Sequence, residues 1–496
     1  MSASAIALAV MIGVVGVGVA MGFYAGLRRK MDLEQWTVAG RGFGTLLVWL
    51  LMAGEGYTTF TLLGASGWAY SRGAPAFYIM GYMSLGYVAS YFFLPQLWEL
   101  GRAHKLQTES DFFEKRYASK RLGAFVALVG VVFLVPYVDL QLTGLGDIVR
   151  VASFGGVGKT WAMLLAAAAV AAFVYTSGIR AVAWMSILKD ALLLGVVAVI
   201  GIGVPYVYFH GIGPMFAALA KAHPKQLVLP GNTANLGRSW FVSTVFLNAL
   251  GAFMWPHLFA ASFTAKTSDV VRRNAVFMPL YTITYPLVLF AGFAALLIVP
   301  GLHDGDLSLL TMTRRTFPAW FLGVVGGAGA LTAMVPAAML ILAAATLFAK
   351  NFFRPIFTPA MSEPSVARMA KLMVGVMTGV AVLFAILGAK SIVGLLLLGY
   401  DGITQFFPGV ILGLYWKRVT RAAVWSGMIA GVGAVTLLVL SGRDPIAGLN
   451  AGFVALCLNF AVVIAVSLLT RAERNGFESS PDFEAPPETP DKMGVS

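Results

Sequence analysis

A single cysteine, Cys457, lies in an apolar stretch of the 496-residue chain. It leaves no intramolecular disulfide and no cysteine-based metal site to consider. Charge is also scarce: Asp, Glu, Lys and Arg make up 11% of residues, against 59% hydrophobic. That ratio, with a mean hydropathy of +0.82, excludes a soluble globular protein. Regular polar–apolar alternation is missing, which excludes a membrane β-barrel. The polar segments contain no metal-ligand spacing and no nucleophile–base motif, so neither an enzyme nor a metal or cofactor is expected. One stretch, "SFGGVGKT" at 153–160, has the end of a phosphate loop but places Ser153 where that motif needs glycine. It reads as a loop leading into a helix. The N-terminus, "MSASAIALAV", lacks the basic region of a signal peptide and reads as a retained first span.

What is present is a series of apolar runs of about 20 residues, the signature of a polytopic helical membrane protein. Thirteen spans are expected, near 4–27, 43–70, 75–97, 122–146, 161–181, 184–209, 240–265, 273–300, 320–349, 366–388, 391–416, 421–441 and 450–470. The fold class is therefore an all-α membrane protein with one transmembrane domain, residues 1–471. The tail, 472–496, is polar, rich in Pro and Glu, and expected to be disordered and cytoplasmic. The connection at about 210–239 is expected to hold a short surface helix. The net charge of +13 fits loops facing an anionic leaflet better than a nucleic-acid partner. "RRK" (28–30), "EKRYASKR" (114–121) and "KRVTR" (417–421) fall on one side. The positive-inside rule then puts the N-terminus outside and the C-terminus inside.

Two spans carry breaking residues. The second, "WLLMAGEGYTTFTLLG" (49–64), holds Gly54 and Gly56 around Glu55. At ~1.5 Å per residue Glu55 lies roughly 18 Å into its span, near the middle of the bilayer. The seventh, "WFVSTVFLNALGAFMWPHLFAASF", is interrupted by Gly251 and Pro256. These spans are five apart and run in opposite directions. That is the pattern of an inverted repeat of five plus five helices, about 43–209 and 240–416, each opening on a broken helix. Ions and substrates bind at such breaks, and an ionisable residue at that depth is a functional candidate.

At this point the chain resembles the sodium/solute symporter family. The resemblance is carried by "WTVAGRGFG" (36–44), "LLGASGWAYSRG" (62–73), "TESDFFEKRYASKRLG" (108–123) and "YTSGIRAVAW" (175–184). Within the family, "AVAWMSILKDALLL" (181–194), "FMWPHLF" (253–259) and "LTAMVPAAMLILAAATLFAKNFF" (331–353) are most similar to bacterial monocarboxylate permeases. The resemblance implies alternating-access import of a small acid such as lactate, pyruvate, acetate or propionate, driven by a coupling ion, across a bacterial inner membrane. Other solutes of the family, such as amino acids or pantothenate taken up with sodium, are the alternative. A nutrient sensor is a different class, disfavoured because no kinase-sized segment follows the last span. The partners implied are a carboxylate and the lipid bilayer; no protein or nucleic-acid partner is.

The chain also departs from the family. Its main sodium site would use carbonyls at Gly54 and Tyr57 plus two hydroxyls on the ninth span. The hydroxyl positions fall on Val335 and Pro336, with Thr332 the one hydroxyl residue nearby. The sixth span reads Trp184-Met185-Ser186 where the family commonly has Trp-Thr-Asp, and Lys189 follows one turn later. Proton coupling is therefore expected in preference to sodium, with Lys189 and Glu55 as titrating candidates. Two bland readings compete: Lys189 snorkels to the cytoplasm, and Asp190 is a surface charge. Thr58 and Thr59 are candidates for holding the carboxylate, helped by the positive end of a half-helix, as is Gln141. Trp255 is a candidate to close over the substrate. His257 either binds the carboxylate or, as the favoured alternative, bonds carbonyls freed by Pro256. Asp139 is expected to line the pathway or to be satisfied by neighbouring helices, and Asp401 to gate or cap a break.

Overall fold

The computed structural model of the protein describes residues 2–26, 33–388, 391–473 and 476–477. The expectations on "RRK" (28–30) and on most of the tail lie outside them. Among the described residues, eleven single helices are long and apolar enough to cross a membrane. Two bent pairs, Thr45–Gly56 with Phe60–Ser71 and Arg238–Gly251 with Pro256–Ser262, bring the spans to thirteen. Their order matches the sequence expectation. Each bent pair turns by 47° at its break, so the two breaks are alike in size as well as in place.

Local chemistry sets the span ends. Thr267, Ser391, Thr420 and Asn450 each accept a backbone N–H from the first turn of the helix they precede. The fifth and sixth spans, Lys159–Thr176 and Gly178–Phe209, are separated by a backbone reversal at Gly178 rather than by a loop. Gly178 has φ 59° and ψ −165°, and a Cβ there would sit 2.6 Å from the Trp36 ring. Only glycine meets both demands. The connection after the sixth span forms the expected short helix, Ile212–Ala222.

The ninth span is the axis of the molecule. Its helix Ala319–Thr346 packs on the first, fourth and sixth spans and is buried along nearly its whole length. Pro336 is accommodated inside it without a break. A π-helical turn, Leu347–Phe353, follows. On the face holding the loops at 104–120 and 350–363, called the basic face below, the entry to one broken span is tied to the exit of the other. Phe43 N–H donates to Thr264 O at 2.9 Å, and Lys266 N–H donates to Phe43 O at 3.0 Å.

Candidate functional site

The helix keeps its course through the Gly54-Glu55-Gly56 triplet and unwinds one residue later. Tyr57 is extended (φ −107°, ψ 93°). Both glycines therefore precede the break rather than forming it. A break frees carbonyls that a continuous helix would satisfy, and here three successive ones are met by side chains. Lys189 Nζ donates to Gly54 O at 2.5 Å. The Tyr137 hydroxyl donates to Glu55 O at 3.3 Å. Gly56 O accepts from Tyr285 at 3.2 Å and from Thr61 at 3.2 Å.

Lys189 is fully buried and does not reach either membrane face. Its partner is Asp190, equally buried, with Nζ 3.1 Å from Oδ1. Asp190 is thus no surface charge, and Lys189 forms its ion pair with Asp190 rather than with Glu55. Gly54 makes room for the pair: a Cβ there would lie 2.7 Å from Asp190 Oδ2 and 3.0 Å from Lys189 Nζ. On the ninth span, Val335 and Pro336 are buried and offer no side-chain oxygen, and the Thr332 hydroxyl has no hydrogen-bond partner among the described residues.

Glu55 points elsewhere. It lines a narrow cavity with Tyr82, Tyr87, Tyr137, Trp255 and Tyr400, between the two broken spans. Neither carboxylate oxygen has a hydrogen-bond partner among the described residues, and the residue is fully buried. The rings form a continuous wall. Trp255 lies 4.7 Å from Tyr137 and 5.2 Å from Tyr400 between centroids. This wall of tyrosines was not singled out from sequence, because its members come from separate spans.

The other candidates divide. Thr59 spends its hydroxyl and its N–H on Gln141 Oε1, at 2.8 and 3.3 Å, pinning the break to the fourth span. The Thr58 hydroxyl accepts from Phe60 N–H at 3.1 Å, capping the second half-helix. None of Thr58, Thr59 and Gln141 lines the Glu55 cavity. His257 is buried, packs edge-on to Tyr137 at 5.6 Å, and lines a different cavity on the basic-face side of Pro256. Its ring nitrogens bond no carbonyl among the described residues, so the favoured carbonyl-binding role is not seen. Asp139 accepts from Thr143 at 3.0 Å and lines a vestibule near the face opposite the basic one, with Lys159. Asp401 lies against Gly452 of the thirteenth span.

One further cluster lies at the basic face. Asp111 accepts from Gln107 and Thr108 N–H at 2.8 and 3.0 Å. It also accepts from Lys350 Nζ and Asn351 Nδ2, both at 2.7 Å. Burial would raise the Asp111 carboxyl, but Lys350 and these donors hold it below its usual range.

With this geometry in place, comparisons with known proteins are informative. The profile of the sodium:solute symporter family matches residues 36–431. The chain is 46% identical over 482 residues to the uncharacterized symporter YhjB of Bacillus subtilis, covering 95% of this chain and 98% of that one. It is 29% identical over 486 residues to a monocarboxylate transport permease protein of Rhizobium johnstonii, covering 94% and 97%. Among solved structures, a Na⁺-coupled sialic acid symporter in a substrate-bound outward-open state superposes with a TM-score of 0.78 at 18% identity. That match covers 95% of this chain and 98% of the other.

Proposed function

The chain belongs to the sodium:solute symporter family, and on that premise we propose that it imports small monocarboxylates by proton symport. As a multi-span transporter of a bacterial family it works on a small solute in a lipid bilayer, and its fold is that of transporters rather than enzymes. The observation that carries the coupling reading is the occupied break. An ammonium, anchored on Gly54 O and Asp190, stands where the family resemblance would place sodium.

Glu55 supplies the second half of the reading. It is a buried carboxyl lining the cavity between the broken helices, with no ion-pair or hydrogen-bond partner among the described residues. An anionic substrate and an ionised Glu55 repel strongly at a fully buried site. Substrate entry therefore requires a proton on Glu55, and the protonated carboxyl then donates a hydrogen bond to the substrate. Proton and anion enter together and leave together, which is symport. The aromatic walls suit the short apolar ends of lactate, pyruvate, acetate or propionate. The monocarboxylate permease of Rhizobium supports that substrate class. Alternating access then rocks the repeats about the breaks. The basic face is cytoplasmic in this reading.

The second reading is sodium symport of another small solute, favoured by the Na⁺-coupled sialic acid symporter of the same fold. Uptake into proteoliposomes separates the two. Proton symport predicts accumulation driven by an inward proton gradient without sodium. Accumulation that follows a sodium gradient at clamped pH and ignores the pH gradient would overturn it.

A further inference from the structure

The residues on either side of Pro256 line different cavities. Trp255 lines the Glu55 cavity, while His257 lines a second, narrow one toward the basic face. Tyr137 packs against both, 4.7 Å from Trp255 and 5.6 Å from His257. Tyr137 and Trp255 thus form a septum two rings thick. Beyond it the far wall is apolar, with Met339, Leu342 and Leu347 from the ninth span.

The polar groups of this second cavity are almost all engaged. Thr37 donates to Leu33 O at 2.7 Å and Thr346 to Leu342 O at 2.8 Å. Thr108 donates to Asn351 Oδ1 at 2.9 Å, and Gln107 Oε1 accepts from Lys350 at 3.0 Å. His257 is the exception: it is buried, and neither ring nitrogen has a hydrogen-bond partner among the described residues. A buried imidazole without a partner loses hydrogen bonds that a ligand could restore.

We propose that this cavity is a second carboxylate station, distinct from the Glu55 cavity, with His257 as its binding group. An imidazole N–H donates to a carboxylate oxygen, and the apolar wall receives the alkyl or acyl end. A substrate passing the Tyr137–Trp255 septum meets His257 before it reaches the Gln107–Thr108 rim. That rim is tied to the Asp111–Lys350–Asn351 cluster by the Thr108–Asn351 and Gln107–Lys350 hydrogen bonds, so the cluster sets the width of the exit toward the basic face. This inference rests on the monocarboxylate reading and adds a release step to it.

The test uses the full chain in proteoliposomes with labelled pyruvate as probe. His257→Ala is expected to slow pyruvate exchange about tenfold, the worth of one hydrogen bond to a charged group. The external concentration giving half-maximal uptake should stay near the wild-type value. His257→Gln, which keeps a donor, is expected to recover much of the rate. Leu342→Trp, which fills the cavity from the opposite wall, is expected to slow exchange without touching the histidine. Wild-type exchange in both His257→Ala and Leu342→Trp overturns the station. So does a parallel rise in half-saturation with the fall in rate, or a Gln variant no better than Ala. If wild-type protein neither takes up nor exchanges pyruvate or any other small monocarboxylate, the substrate reading falls and the station falls with it. Wild-type transport with unaffected variants removes the station alone.

Discussion

Ionisable side chains at membrane depth pair with one another or face an interior cavity, and the two central ones here take one solution each. Lys189 is paired, with Gly54 O and Asp190. Removing one partner of a buried pair leaves an uncompensated charge, typically destabilising by about 3–5 kcal/mol. Lys189→Ala should therefore lower the melting temperature of the purified protein sharply. Lys189→Met with Asp190→Leu should restore most of it, which a melting series of the three proteins checks. The single variant should also lose gradient-driven accumulation, and full accumulation in it would remove the lysine from the mechanism. Glu55 is the unpaired case. Glu55→Gln is neutral at every pH, so substrate exchange at equal pH should persist while accumulation driven by a pH gradient disappears. Glu55, Lys189 and Trp255 were legible in the sequence because charge, or an aromatic beside proline, stands out in an apolar run. Asp190 was not. A carboxylate next to a lysine near the expected span end reads as a surface pair until burial is known.

At the scale of elements, the broken helices were legible from Gly54, Gly56, Gly251 and Pro256, but the position of the first break was not. The chain unwinds at Tyr57, where carbonyls find Lys189, Tyr137 and Tyr285 from three other spans. Those donors, distant in sequence, decide where the helix stops. The cavity walls were hidden for the same reason. A second element, the short turn Gly305–Leu307, lies against Gly67 on the second broken half, and its Asp306 accepts the Ile392 N–H at 3.1 Å at the start of the eleventh span. Burial chiefly, with Asp304 and Asp147 nearby, raises the Asp306 carboxyl from 3.8 to about 7, against the Ile392 N–H bond and Lys159, which lower it. A raised carboxyl favours the folded state while protonated. Its contribution is thus complete below about 3.8 and is lost as pH rises to about 7. Asp306→Asn keeps the acceptor but cannot ionise, so its stability should vary less over that window. Melting temperatures of both proteins across the range check this, and equal slopes would count against it.

For the whole molecule, the thirteen spans and the five-plus-five plan followed from apolar length and from two breaks five spans apart. The family resemblance then agreed with the matched profile over residues 36–431. What the sequence could not place was the central ion pair, because it depends on how the sixth span docks against the second. That docking puts a fixed ammonium at the broken helix and leaves a lone carboxyl facing the cavity between the repeats. The most direct test is labelled pyruvate uptake by the reconstituted wild-type protein under imposed gradients. Proton symport predicts accumulation above equilibrium with an inward proton gradient in sodium-free buffer, and none with a sodium gradient at clamped pH. Accumulation under the sodium gradient alone, with no response to the proton gradient, would contradict it.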